Sequence, residues 1–571
     1  MSTKVLNNAQ RMANVLKKNG VEYLFGQSNP PAITLACDDI GIKQIGYRQE
    51  NAGSYMAQGY AMATGKIPVV TAQNGPAATL LVPGLAESKK SSYPVVAIVE
   101  EVDQSHEEKN AFQEFDHFAL FSGVSKWTKK ISIHEKIEEY VDRAFTVAAS
   151  GRPGPVVLLC PKDIFNDTKK HTITVKDNQC NLGEFPLDRF APTDTLLAEA
   201  SKLLANAERP LIYAGGGVVS SGGHDALRNI QENFNIPVAT TTMGKGSIDE
   251  NHNLSIGPIG YYMGIRGVTR YLKNYVENSD VILLIGNRTN QNGTDSWSLL
   301  PENAKYIHID IDPTEIGRNY DSLRLVGDAK TTLEKLHETL ESEDISKRAE
   351  TREEFENEIS EARKLHEKAI SDVLDNQNNE QIKVERFLRE VNQQLADDHI
   401  IVADASISSV WNANYIKAEK NRKFIFPRGL AGLGWGLPLA MGAKVGLSNR
   451  KVFCLVGDGG FGHVWSELET CKRLGIDVVV AVINNSVLGY QKYAETVGYN
   501  RYTNVCDFSF VDHTKVAEAC DVKGIKLDDV NEISNVLNEA FNHEGSVLID
   551  LISDSVNIPP VTIMDGLIEA K

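Results

Sequence analysis

Short, continuous apolar runs punctuate the first 160 residues: Pro68-Val69-Val70, Pro94-Val95-Val96-Ala97-Ile98-Val99 and Val156-Val157-Leu158-Leu159, with stretches of helical period between them. Apolar runs without alternation predict strands covered on both faces, and strands alternating with helices predict parallel α/β units. The rhythm returns at Pro210-Leu211-Ile212-Tyr213-Ala214, which runs into Gly215-Gly216-Gly217, and continues through 280–286 and 306–310. It returns again beyond about residue 380, at 400–404, 451–456, 478–483 and 547–551. Polar residues and prolines over 163–192 predict a linker, and the Glu/Lys-rich stretch 332–372 predicts a solvated connecting helix. The expected fold class is α/β, with three doubly wound parallel-sheet domains over 1–185, 191–345 and 375–571.

A chain of 571 residues is long enough for three such cores, and 42% hydrophobic with 24% charged residues excludes a largely disordered or fibrous protein. Acidic residues outnumber basic ones 76 to 59, for a net charge of -17, and no Lys/Arg block occurs. Nucleic acid and anionic membranes are therefore not expected partners. The start, Met1 to Asn8, lacks an apolar signal core, and no stretch reaches the length of a membrane span. Cys37, Cys160, Cys180, Cys454, Cys471, Cys506 and Cys520 are odd in number and never in CxxC spacing, which predicts a reduced, cytoplasmic protein.

The strongest chemical signal is Gly457-Asp458-Gly459-Gly460 directly after one apolar strand, with Asn484-Asn485 directly after the next. Asp458 and Asn485 are 27 positions apart and should stand at the carboxyl ends of neighbouring strands. A carboxylate and an amide oxygen can meet there on Mg²⁺, which takes its remaining oxygen ligands from phosphate and water, while glycines let the backbone approach phosphate closely. A lone Gly-Asp-Gly is usually a turn, but the strand context and the paired asparagines favour the metal. The combination resembles the diphosphate-binding motif of thiamine-diphosphate-dependent enzymes. The resemblance implies that Asp458, Asn485 and the Val487 carbonyl hold Mg²⁺, with Gly457, Gly459, Gly460, Leu488, Gly489 and Tyr490 around the cofactor.

Ile45-Gly46-Tyr47-Arg48-Gln49-Glu50 reads as a strand ending in a carboxylate, followed by a helix over 52–64. Alone, Glu50 is an acid favoured by the helix dipole. In the family that this chain resembles, a glutamate at this place hydrogen-bonds N1′ of the aminopyrimidine and favours the imino form that removes the C2 proton of the thiazolium.

Further matches are similar to the acetolactate (acetohydroxyacid) synthase group. They are the loop Asn74-Gly75-Pro76, Phe112-Gln113-Glu114, Lys126, the run 151–156, and Gly434-Trp435-Gly436-Leu437-Pro438. They imply that Gly75 approaches the thiazolium, that Phe112 and Gln113 line the substrate side, and that Leu433 is the apolar wedge bending the cofactor. Taken singly, Phe112 and Leu433 read as core residues and Lys126 as a surface charge; their order along the chain carries the weight.

The departures bear on the reaction. Ala405-Ser406-Ile407-Ser408 stands where the family offers glycine, Gln and His, so Ser406 and Ser408 become the candidate diphosphate contacts. The stretch 488–494 lacks the tryptophan that biosynthetic acetohydroxyacid synthases use to favour 2-oxobutyrate, and Asn290, Gln291 and Asn292 replace Asp, Asp and Arg of the flavin-side run. FAD is therefore expected to bind weakly or not at all.

The resemblance implies decarboxylation of a small 2-oxo acid such as pyruvate, with carboligation to a carbonyl acceptor, in a homodimer or homotetramer with its sites between subunits. The alternatives are a related 2-oxo acid decarboxylase, a C–C lyase or acyl transferase, and a catalytically silent cofactor-binding paralogue.

Overall fold

The computed structural model describes residues 2–175, 181–375, 381–419, 421–554 and 557–569; Cys180 lies outside them. Three six-stranded sheets follow one another along the chain, each parallel throughout. The strands Val69–Ala72, Val96–Glu101, Val156–Pro161 and Val281–Ile285 are buried at every position, as helices on both faces require.

The first and third sheets share one strand order. Numbered within each sheet, it is 2-1-3-4-6-5, with Tyr23–Phe25 and Ile400–Ala403 as strand 1 and Val69–Ala72 and Val452–Gly457 as strand 3. The middle sheet runs 3-2-1-4-5-6, the dinucleotide-binding order, with Pro210–Ala214 as strand 1 and Val281–Ile285 as strand 4. In open sheets of this kind the chain diverges to opposite faces at the switch between strands 1 and 3, or 1 and 4, and leaves a crevice at their carboxyl ends. Gln73-Asn74-Gly75, Ala405-Ser406 with Asp458, and Gly215 with Gly286 all follow those ends.

The outer domains pack on each other through two helices, Glu50–Thr64 and Gly436–Gly446. Small residues set this approach: a Cβ on Gly59 would lie 2.2 Å from the Leu439 carbonyl oxygen, and one on Gly442 would lie 1.9 Å from that of Met56. Tyr55 and Trp435 close the same seam, with ring centroids 4.9 Å apart. One core cluster therefore runs through both domains, from Phe25 and Val70 to Leu437, Val456 and Val480.

Three local expectations are corrected. The expected linker 163–192 contains a helix, Lys162–Phe165, and a strand, His171–Val175, paired antiparallel with Ser2–Leu6. The alternation Thr172-Ile173-Thr174-Val175 explains it, because β-branched residues suit an extended chain. The expected solvated helix is two, Ala329–Leu340 and Ser346–Asp375, and the longer one buries Phe355, Ile359, Ala362 and Ile370 along one side. The helix expected to start at Ala52 starts at Glu50.

Among the described residues, no helix is long and apolar enough to cross a membrane. The six described cysteines are free thiols, five of them buried.

Candidate active site

Val452–Gly457 and Val479–Asn484 are neighbours, with Gly457 opposite Ile483, so Asp458 and Asn485 emerge side by side. Asp458 is anchored from behind: Oδ2 accepts the N–H of Ser486 at 2.6 Å and of Asn485 at 3.2 Å, and Oδ1 accepts that of Gly459 at 2.8 Å. Burial still raises its carboxyl pKa against these donors, a cost that a bound cation would offset. The Asn484 amide is consumed in the core by Val511, His513 and Asp550. The Asn485 amide makes no hydrogen bond, so its oxygen is available to a ligand.

The turn carrying Val487 is pinned from the other side, where Leu488 N–H donates to Cys506 O and Phe508 N–H to Ser486 O, both at 2.8 Å. Among the described residues, no three His, Cys, Asp or Glu side chains are arranged so that they alone could hold a metal ion. A cation held by Asp458, Asn485 and the Val487 carbonyl would need further oxygens from a phosphate, as expected for Mg²⁺.

Every cofactor residue expected in the C-terminal domain borders one cleft, from Ser406, Ser408 and Leu433 through the 457–460 turn to Asn485, Val487 and the 488–490 segment. Glycines keep its walls open: a Cβ on Gly489 would meet Ile407 Cδ1 at 2.8 Å, and one on Gly460 would meet Asp404 Oδ2 at 2.1 Å. Ser406 has φ 64° and ψ -137°, a conformation that belongs to glycine.

Asp404 was missed as a site residue. Fully buried, it accepts the N–H groups of Gly434 and Trp435 at 3.0 Å and of Gly436 at 3.2 Å. Glu87, on a helix of the first domain, takes those of Gly429 and Leu430. Burial pushes both carboxyls up, and the donors oppose it. Between them the two acids hold the 429–436 loop, leaving Leu433 36% exposed at the cleft. Its reading as an ordinary core residue fails.

Gly75, Phe112 and Gln113 come together elsewhere, and neither they nor Glu50 borders that cleft. Glu50 opens its helix half-buried, and its carboxylate makes no hydrogen bond or ion pair. The loop before it is tied to the third domain by Glu467, which accepts from Arg48 and Gln49, and by Arg473, which donates to Gly46 O at 2.8 Å.

Gly75 has φ 69°, and a Cβ there would lie 2.8 Å from Gln113 Cβ. Asn74 Nδ2 donates to Phe112 O at 3.2 Å and Gln113 O at 3.0 Å, binding the two expected loops together. Phe112 is 80% exposed, so it too is not a core residue of the single chain. The Gln113 side-chain oxygen is buried without a partner. Lys126, by contrast, caps carbonyls of its own domain, Ser150 at 2.8 Å and Val147, and takes no part in the site.

A second cleft opens at the switch point of the middle sheet beside Gly215, Gly286, Arg288 and Asp310. Arg428 and Asn292 border both clefts. Asn290 and Gln291 are engaged locally, with Gly293 N–H at 2.8 Å and Ser296 Oγ at 3.3 Å.

Two α/β domains of one strand order, packed on each other around a third, define a fold shared with a class of enzyme. Models for the thiamine pyrophosphate enzyme family match the N-terminal TPP binding domain over 6–120, the central domain over 197–336 and the C-terminal TPP binding domain over 404–551. The chain is 34% identical to a probable acetolactate synthase large subunit of Methanococcus aeolicus, covering 99% of this chain and 96% of that protein. It is 32% identical to that of Methanocaldococcus jannaschii (97% and 93%) and 31% to the acetolactate synthase large subunit of Buchnera aphidicola subsp. Schizaphis graminum (99% and 98%). The chain belongs to the acetolactate synthase large-subunit family of thiamine pyrophosphate enzymes.

Proposed function

We propose that the protein decarboxylates a small 2-oxo acid, pyruvate in the first instance, and joins the remaining fragment to a carbonyl acceptor, using thiamine diphosphate and Mg²⁺. The observation that carries this is the free Asn485 amide beside the anchored Asp458 carboxylate in an open cleft, with an unpaired Glu50 retained in the other half-site. A silent paralogue would have no reason to keep all three.

Thiamine diphosphate, when bound, supplies a carbon able to hold the electron pair left as carbon dioxide departs. In our reading Asp458, Asn485 and the Val487 carbonyl hold the cation, and Ser406 and Ser408 receive the diphosphate. Leu433 supports the cofactor's fold from a loop fixed by Asp404. Glu50 holds a proton at its carboxylate against the pyrimidine ring, Gln113 offers its amide to the substrate's oxygen, and Phe112 excludes water so that loss of carboxylate charge is favoured. The domain limits we propose are 1–185, 191–345 and 375–571, with the helix Ser346–Asp375 as connector.

One chain keeps the two half-sites apart, so a homodimer or homotetramer is part of the proposal. The exposure of Phe112, Phe115, Phe118 and Leu430 supports burial against a second copy. Flavin is expected to be weak or absent, since Asn290 and Gln291 are spent on their own turn. Free buried thiols favour the cytoplasm, and the acidic balance disfavours nucleic acid.

The test is incubation with pyruvate, Mg²⁺ and thiamine diphosphate, with and without added 2-oxo acids and aldehydes, followed by mass spectrometry. Acetolactate or acetoin is expected; acetaldehyde alone would replace carboligation by simple decarboxylation. Visible flavin absorbance at one equivalent per chain in the purified protein would overturn the flavin statement.

A further inference from the structure

His117 and Glu101 form a buried pair behind the substrate-side loops that neither the family motifs nor the proposed chemistry uses. Glu101 ends the strand Val96–Glu101 and His117 opens the helix His117–Ser122; they are 7% and 1% exposed. His117 Nδ1 lies 2.9 Å from Glu101 Oε1, and Nε2 lies 2.8 Å from the backbone nitrogen of Gly75. An amide N–H can only donate, so Nε2 must be the unprotonated nitrogen, and the ring proton sits on Nδ1 and points at the Glu101 carboxylate. Glu101 therefore selects the tautomer that leaves an acceptor facing Gly75.

What this contact holds is not an ordinary turn. Gly75 has φ 69° and touches Gln113 closely enough that an added Cβ would collide at 2.8 Å, while Gln113 itself has φ 60° without being glycine. Residues in such conformations persist only where their surroundings over-determine them. Here the surroundings are Asn74, which binds the carbonyls of Phe112 and Gln113, and His117, which binds the amide of Gly75 and stands four residues after Gln113 in the same connecting segment. The 74–75 loop and the 112–117 segment are thus locked to each other at both ends.

We infer that His117, oriented by Glu101, is a positioning residue that sets Gly75 and Gln113 for the 2-oxo acid by accepting the Gly75 N–H. This rests on the reading of Gly75 and Gln113 as the substrate side of the carboligase site.

The pair can be dissected because glutamine and asparagine each replace one side of the imidazole. His117→Gln can put an acceptor oxygen near the place of Nε2. His117→Asn can put a donor near the place of Nδ1 but leaves the Gly75 N–H without an acceptor. With full-length protein saturated in Mg²⁺ and thiamine diphosphate, His117→Gln should keep kcat/KM for pyruvate within about threefold of wild type. His117→Asn and His117→Leu should lose about tenfold or more through small misplacement of the reacting groups, with thiamine diphosphate affinity unchanged.

Amide hydrogen exchange over 108–117 and at Gly75 gives a readout independent of turnover: fast in His117→Asn, slow in wild type and His117→Gln. Equal losses in the Gln and Asn variants, or wild-type kinetics and protection in His117→Asn, would overturn the inference. If the wild type turned over no 2-oxo acid, the carboligase reading would fail, and the exchange comparison would still decide whether His117 sets the loop.

Discussion

Glu467 Oε1 accepts the backbone N–H of Arg48 at 3.0 Å, although the two residues belong to different domains and are 419 positions apart. The same oxygen takes the N–H of Gln49 at 3.2 Å, and Thr470 donates to the second carboxylate oxygen at 2.8 Å. The fully buried acid stands at the start of the helix Glu467–Leu474, which follows the 457–460 turn in the chain, and holds the residues just before Glu50. The C-terminal domain thus carries Asp458 and also fixes the backbone of the first domain just before Glu50.

Replacing Glu467 by Ala leaves two backbone donors without a buried acceptor, a loss of about 1–3 kcal/mol. Turnover should fall by roughly 10–100-fold as Glu50 loosens, whereas Mg²⁺ and thiamine diphosphate affinity, measured by fluorescence titration, should not change. A variant with normal kcat would show that the helix packing alone orients Glu50.

Glu50→Gln and Asp458→Ala should separate chemistry from retention. The amide at 50 cannot hold the proton that the pyrimidine requires, so the variant should bind cofactor normally and turn over about 10²–10⁴-fold more slowly. Asp458→Ala removes both the anionic ligand and the acceptor for Ser486, Asn485 and Gly459 N–H, and should lose cofactor on gel filtration. Wild-type kinetics in the first, or unchanged retention in the second, would refute the assigned roles.

What was readable in the sequence was local. Strands buried on both faces write themselves as apolar runs, and the Gly-Asp-Gly-Gly turn lies directly after one of them, so the adjacency of Asp458 and Asn485 could be read from their neighbours alone. Leu433 and Phe112 were named by resemblance, but their exposure depends on how whole domains meet. Asp404, Glu87, Glu467 and Glu101 act by accepting N–H groups or a ring proton from distant segments, and a single carboxylate carries no pattern that announces such a partner. The nearest signal is an acid at the end of an apolar strand, as at Ile401-Val402-Ala403-Asp404 and Ile98-Val99-Glu100-Glu101. The matching strand order of the outer domains was invisible because it is a repeat of topology, not of residues.

Asp310, at the end of Lys305–Asp310 beside the middle cleft, should make stability fall as pH rises from acid toward neutral. Burial chiefly, with Glu315 and Asp312 adding to it, lifts its carboxyl from 3.8 to about 6, opposed by the Asp312 N–H and Arg152. Its contribution is complete below pH 3.8, where both folded and unfolded chains hold the proton, and is lost as pH climbs through about 6. Asp310→Asn keeps an acceptor for Asp312 N–H and should flatten this slope, gaining on the order of 1–3 kcal/mol above pH 7. Urea unfolding of the two proteins at pH 5 and pH 7.5 checks it, and parallel slopes would disprove it.

Ser406 combines strain with the ligand role proposed for it, and one substitution reads both. Its φ of 64° and ψ of -137° lie where a side chain costs about 1–3 kcal/mol, and the residue lines the same cleft as Asp458. Glycine removes the strain but adds about 0.5–1 kcal/mol of unfolded-state freedom, so Ser406→Gly should gain roughly 1 kcal/mol against denaturant. If the hydroxyl donates to the diphosphate, thiamine diphosphate affinity should fall about tenfold or more, the worth of a hydrogen bond to a charged group. Higher stability with unchanged affinity would remove Ser406 from the cofactor contacts and leave Ser408. Lower stability would show that the serine, not the backbone, is what holds this turn.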